Sequence, residues 1–130
     1  MNREIKFRIW ADNKFYNKCL VGNTNNTNDE KYTCPMVWLE KQKEWVCCDN
    51  GIICQYTGLH DKNGKEIWEN DIVEITRECI YEKGIIIFKD GCFFIKSKEN
   101  LLALYNCELC NYKIKIIGNI YDNPELLGGE

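Results

Sequence analysis

One histidine, nine cysteines and a tryptophan framed by two glutamates are the residues of this chain whose types could support a reaction. His60 has Asp61 beside it, and an imidazole is the usual proton carrier near neutral pH. No Ser or Cys lies close to it in sequence, so we read it as an exposed turn residue. Glu66 and Glu69 flank Trp68. Two carboxylates do acid–base work only where their surroundings push their pKa values apart, and we read these two as solvated residues around one buried aromatic. Cys107-Glu108-Leu109-Cys110 is the sole C-x-x-C. Cys107 and Cys110 could grip one edge of a Zn²⁺, but a structural zinc takes four ligands and usually a second such pair. Cys47, Cys48, Cys54, Cys79 and Cys92 lie singly or adjacent in strand-like segments and are expected to be small buried hydrophobes. We assign no catalytic residue, cofactor or metal. Phosphate-cradling glycine loops, H-E-x-x-H and G-x-S-x-G are all missing from the sequence. Lys113 and Lys115, with Tyr112 and Tyr121 nearby, come nearest to a base-stacking platform.

Charge narrows the classes further. Lys+Arg number 17 and Asp+Glu 20, interspersed without a run, for a formal charge of −3. Proteins that hold duplex phosphates by counterion release carry a basic face, so general DNA binding is expected to be weak. The chain has 130 residues, 45% of them hydrophobic, enough to bury a core without a disulfide or metal. MNREIKFRIW lacks the apolar stretch of a signal peptide, and no apolar run is long enough to span a bilayer. The expectation is a cytoplasmic protein with its cysteines as thiols and no membrane partner. The sequon Asn25-Asn26-Thr27 then has no role.

The elements that must position these groups are short strands. In EIKFRIW, Ile5, Phe7 and Ile9 alternate with Lys6, Arg8 and Trp10, as in a half-buried strand. ADNK (11–14) is a turn before a hairpin return, FYNKCLV. Residues 22–31, without an apolar side chain, read as a surface loop. MVWLE, WVCC and IICQYTG follow, with KQKE and the Asn50-Gly51 pair as corners, the latter a hairpin signal. Thr57-Gly58 and Asn63-Gly64 are turn pairs. DIVEITRE, KGIIIF and CFFIKS are strands, the last two joined at Asp90-Gly91. KENLLALYN reads equally as helix or strand. YKIKIIGNIY is a final strand that ends or bends at Gly118. Asn123 and Pro124 suit the cap and first residue of a closing helical turn. The fold class is mainly β: a short-strand meander over 1–56 joined to a small SH3-like β-barrel over 57–130.

IKFRIW near the start, CQYTGLHDKNGKEIWENDIV in the middle and IIGNIYDNPELL at the end resemble the YopX family of phage and prophage proteins. That family opens with an IKFRAW-like strand, continues QYTGLKDKNGKEIYEGDIV and closes VIGNIYENPELL. The resemblance implies a mainly β fold with an SH3-like barrel in the C-terminal half and a gene carried by phages or prophages. It implies no biochemical activity and hence no catalytic residue. Asn70 stands where the family most often has Gly, which points to a left-handed turn that Asn tolerates best after Gly. His60 stands where Lys or another polar residue is common, which speaks against a catalytic histidine.

The resulting expectation is a non-enzymatic accessory protein that binds a macromolecule of host or phage, with self-association left open. Two other classes were weighed. A nucleic-acid-associated small barrel of phage replication or recombination rests on fold analogy alone. A metal-dependent hydrolase or nuclease would need a carboxylate cluster that the sequence does not group. Gly58, Asn63, Gly64, Asn70 and Gly118 are the expected turn positions.

Overall fold

A computed structural model describes residues 4–20, 35–48 and 50–127. The chain forms two compact units, an N-terminal one over Ile5–Gln55 and a C-terminal one from Tyr56 onward that also takes in Glu4. Segment 22–31, with its sequon, lies outside the described residues.

In the N-terminal unit, β1 (Phe7–Ala11) turns into β2 (Lys14–Tyr16) through Asp12 and Asn13, with φ of 52° and 63°. Two left-handed residues in succession give a hairpin turn whose twist matches its strands, and Asp and Asn tolerate that conformation. Trp10 sits opposite Phe15, with ring centroids 4.8 Å apart. Ile9 is fully buried. Ile5, expected on the same inner face, is 65% exposed because it precedes the strand. A second sheet joins β3 (Cys19–Leu20), β4 (Met36–Leu39) and β5 (Glu44–Cys47) in that order, with Trp38 opposite Trp45.

The next strand, β6 (Ile52–His60), departs from a meander. Its first residues pair antiparallel with β1, Ile53 opposite Ile9, and not with β5. The Asn50-Gly51 hairpin expected between β5 and β6 is therefore absent. Gly51 is needed for space: a Cβ there would lie 2.6 Å from Ile9 Cγ2 and 2.9 Å from Cys48 Sγ. Sequence cannot separate a glycine kept for close approach from one kept for a turn.

In the C-terminal unit the end of β6 pairs with β7 (Glu66–Trp68). Five antiparallel strands follow: β8 (Asp71–Arg77), β9 (Ile80–Lys89), β10 (Cys92–Lys96), β11 (Leu101–Ala103) and, after the helix α1 (Leu104–Leu109), β12 (Lys113–Asn119). Their order in the sheet is β11-β10-β9-β8-β12, with β12 returning to pair with β8. Asp90 and Gly91, φ 53° and 81°, make the expected hairpin turn between β9 and β10. Strand β9 is longer than KGIIIF because β8 already turns at Glu78 (φ 53°), with Arg77 opposite Ile80. The ambiguous 98–106 segment is both things in turn, β11 and then α1. The core gathers Ile67, Val73, Ile75, Ile86, Phe93, Ile95 and Ile114 from the strands with Leu104 and Cys107 from α1.

Two expectations at the C-terminal end need correction. The pairing of β12 with β8 shifts between Ile116 and Gly118, but Gly118 has no left-handed backbone. It is held to glycine by Asn123, whose Oδ1 would lie 2.5 Å from a Cβ. Pro124–Leu126 is a 3-10 turn with Pro at its start, and Asn123 makes no side-chain cap. Instead Asn123 Oδ1 accepts the Asn119 amide at 3.3 Å. No helix among the described residues is long and apolar enough to cross a membrane.

Candidate functional site

The richest cluster of buried polar groups lies in residues 56–71. Thr57-Gly58 is a bulge within β6, not a turn: the pairing slips between Tyr56 and His60, and Gly58 has φ 90°. A left-handed glycine is the usual means of inserting one extra residue into a strand. Buried Thr57 donates its hydroxyl to Ile67 O at 2.7 Å and accepts the Leu59 amide at 3.2 Å. The β6–β7 hairpin then closes over Asp61–Lys65, where Gly64 is left-handed (φ 85°) and Asn63 is not.

Asp61 is 6% exposed and its carboxylate is fully used. Oδ1 accepts the amides of Asn63 and Lys65, both at 2.9 Å, and Oδ2 accepts that of Ile116 at 3.0 Å. The Lys62 amide donates to Ile114 O at 2.8 Å. Ile114 and Ile116 belong to β12, the edge strand of the five-stranded sheet, so the hairpin loop covers an edge that would otherwise display open backbone groups. Burial alone would raise the Asp61 carboxyl. The three amides and the Lys65 charge outweigh it and hold the group below the ordinary Asp range.

Asn70 ends the stretch in a left-handed turn, φ 74°. Its amide donates to Ile86 O at 2.8 Å, its carbonyl accepts from Ile120 at 3.1 Å, and its side-chain amide donates to the Tyr121 hydroxyl at 2.9 Å. Buried Asp71 accepts the Trp68 amide at 2.8 Å. Trp68 is buried as expected, but Glu66 and Glu69 are half-buried and engaged, not solvated. His60 is exposed at the strand end, its ring edge-on to Tyr56 at 6.1 Å.

The two thiols of the C-x-x-C sit in different surroundings. Cys107 faces the core at 2% exposure whereas Cys110 is exposed. Burial first, then Cys110 and Glu82 nearby, push the Cys107 thiol up to about 11. A metal ligand or redox nucleophile needs the thiolate, which this position disfavours. Among the described residues no three His, Cys, Asp or Glu side chains come together as a metal-binding group. Of the cysteines expected to be buried in strands, Cys54 is, while Cys79 and Cys92 are exposed near turns.

Of the open grooves among the described residues, two combine apolar side chains with several lysines. One, of about 610 Å³, lies on the C-terminal unit between Tyr81, Lys83 and Ile85 of β9, Lys96 and Lys98, and Leu126 and Leu127. Glu82 at its side accepts from Asn100 Nδ2 at 3.0 Å and Ser97 Oγ at 2.7 Å, and both bonds lower its carboxyl. The other, of about 530 Å³, belongs to the N-terminal unit and brings Phe15, Tyr16 and Trp38 together with Lys14, Lys18 and Lys41.

A family model described as YopX protein matches residues 6–128. The chain belongs to the YopX family. Its fold is similar to the crystal structure of protein EF1440 from Enterococcus faecalis, with TM-score 0.65 and 23% identity, covering 98% of this chain and all of that one. It is likewise similar to protein yopX from Bacillus subtilis, with TM-score 0.64 and 20% identity, covering 94% and 97%. No curated protein matches. The shared fold thus accounts for the mainly β architecture that the three motifs implied.

Tyr112 and Tyr121, the aromatics nearest to a stacking platform in the sequence, are both engaged within the fold. Tyr121 bonds Asn70, and Tyr112 packs against the core with the Arg77 guanidinium 5.6 Å from its ring. Sequence reading missed the N-terminal groove. Its signal was present in Lys14-Phe15-Tyr16-Asn17-Lys18, where cations bracket adjacent aromatics.

Proposed function

We propose that this chain is a non-enzymatic binding module of a phage or prophage, working in the bacterial cytoplasm on a macromolecule of host or phage. Its C-terminal unit serves as a small SH3-like barrel that carries one of two docking surfaces. The observation that supports this most is how the polar groups are used. The buried carboxylates Asp61 and Asp71 hold backbone amides. The lysines Lys83, Lys96 and Lys98, by contrast, line an open groove beside Ile85, Leu126 and Leu127. Glu82 and Glu99 line the same groove, and mixed apolar and charged surface in a wide groove suits a macromolecular partner better than a small substrate, which is normally held in an enclosed cavity.

The test is capture of partners from phage-carrying cells by the parent chain and by two charge-reversed variants, Lys96→Glu/Lys98→Glu and Lys18→Glu/Lys41→Glu, read by mass spectrometry. The reading requires a partner retained by the parent and lost from at least one variant of unchanged thermal stability. Equal capture by all three chains would defeat it.

A further inference from the structure

We propose that the groove of the N-terminal unit binds single-stranded nucleic acid, with bases against its aromatic rings and phosphates against its lysines; this rests on the binding-module reading above. Phe15, Tyr16 and Trp38 are all half-buried; Phe15 is held by Trp10 edge-on and by the Arg8 guanidinium 3.6 Å from its centroid, which leaves Tyr16 and Trp38 as the stacking rings. Lys14 Nζ lies 4.7 Å from the Tyr16 ring centroid, and Lys18 Nζ lies 4.1 Å from that of Trp38. An ammonium resting on a ring face is held by the ring quadrupole. A stacking base takes over that face and moves the ammonium to the rim, where the phosphate of the same nucleotide needs it.

Charge at the groove agrees. Lys14, Lys18 and Lys41 are matched by one acid, Glu40, which Lys43 already holds at 3.1 Å. The indole Nε1 of Trp38 is buried without an acceptor among the described residues. Buried donors are normally satisfied, and a base or sugar oxygen reaching the ring once Lys18 moves aside would satisfy this one. A duplex fits poorly, because its paired and stacked bases offer no free face to the rings. An acidic peptide would engage the lysines and leave the rings unused.

Fluorescence anisotropy of the full chain with short labelled single strands, in DNA and RNA arms beside a duplex of the same sequence, tests this. The expected result is saturable single-strand binding that quenches tryptophan emission and is about tenfold tighter than duplex binding. Binding should weaken about tenfold in Lys18→Glu/Lys41→Glu and again in Tyr16→Leu, as loss of phosphate and stacking contacts requires. Unchanged thermal unfolding of the lysine variant separates contact from folding. No saturable single-strand binding, equal duplex binding, or indifference to the lysine variant would overturn the proposal. If single strands fail while the lysine variant loses a protein that the parent captures, the nucleic-acid assignment falls and the binding-module reading stands.

Discussion

At the residue scale, Asp61 does the most. One side chain satisfies two amides of its own hairpin loop and one of β12, all part-buried. Hydrogen bonds to a charged acceptor are worth about 1.5–3 kcal/mol when buried and less when water can reach the donor, so Asp61→Ala is expected to lose about 3 kcal/mol in urea unfolding. The pH dependence follows from the lowered carboxyl. A depressed folded-state pKa contributes stability that is present above the unfolded value of about 3.9 and is lost as pH falls through the lower folded value. Asp61→Asn should therefore flatten the stability curve below about pH 4, and a curve parallel to the parent's would contradict this. Asn70 is a second case. Asn70→Gly forfeits the bond to Tyr121 but keeps the left-handed turn, whereas Asn70→Val must also bear the left-handed penalty of about 1–2 kcal/mol. Thermal unfolding should rank parent, Gly, Val in falling order; Val as stable as Gly would refute the strained turn.

At the element scale, legibility followed the period of the pattern. Hairpins whose turn residues must be left-handed, Asp12-Asn13 and Asp90-Gly91, could be read because the chemistry of the turn is local. Gly51, Gly84 and Gly118 could not, since each is set by what passes over it from elsewhere in the chain. A Cβ on Gly84 would meet Lys96 O at 2.7 Å, so Gly84→Ala should cost about 1–3 kcal/mol by overpacking β9 against β10. No loss would show that the two strands can part. The same limit hid the split of the C-x-x-C, because helix α1 turns Cys107 inward only through its packing on the sheet. Timed alkylation read by mass spectrometry should label Cys79, Cys92 and Cys110 quickly and the buried Cys54 and Cys107 slowly, Cys107 with its thiol also pushed up to about 11. Rapid labelling at Cys107 would place it outside the core.

At the scale of the whole molecule, the stretch richest in sequence signals is a structural corner. The stretch 56–71 draws the eye with its histidine, acids and turn pairs, yet its groups are spent on closing a sheet edge and seating β8. That much was legible, because turn residues and buried aromatics signal a corner. The groove at Phe15, Tyr16 and Trp38 was not, because Trp38 is brought beside β2 only by the fold of the N-terminal unit. The corner at 56–71 is structural, and the N-terminal groove is the contact surface for single strands. Amide hydrogen exchange of the full chain, with and without a short single-stranded oligonucleotide, tests it most directly. Slowed exchange over 14–18 and 38–42 with 56–71 unchanged is the predicted result, whereas slowing confined to 56–71, or nowhere, would contradict the account.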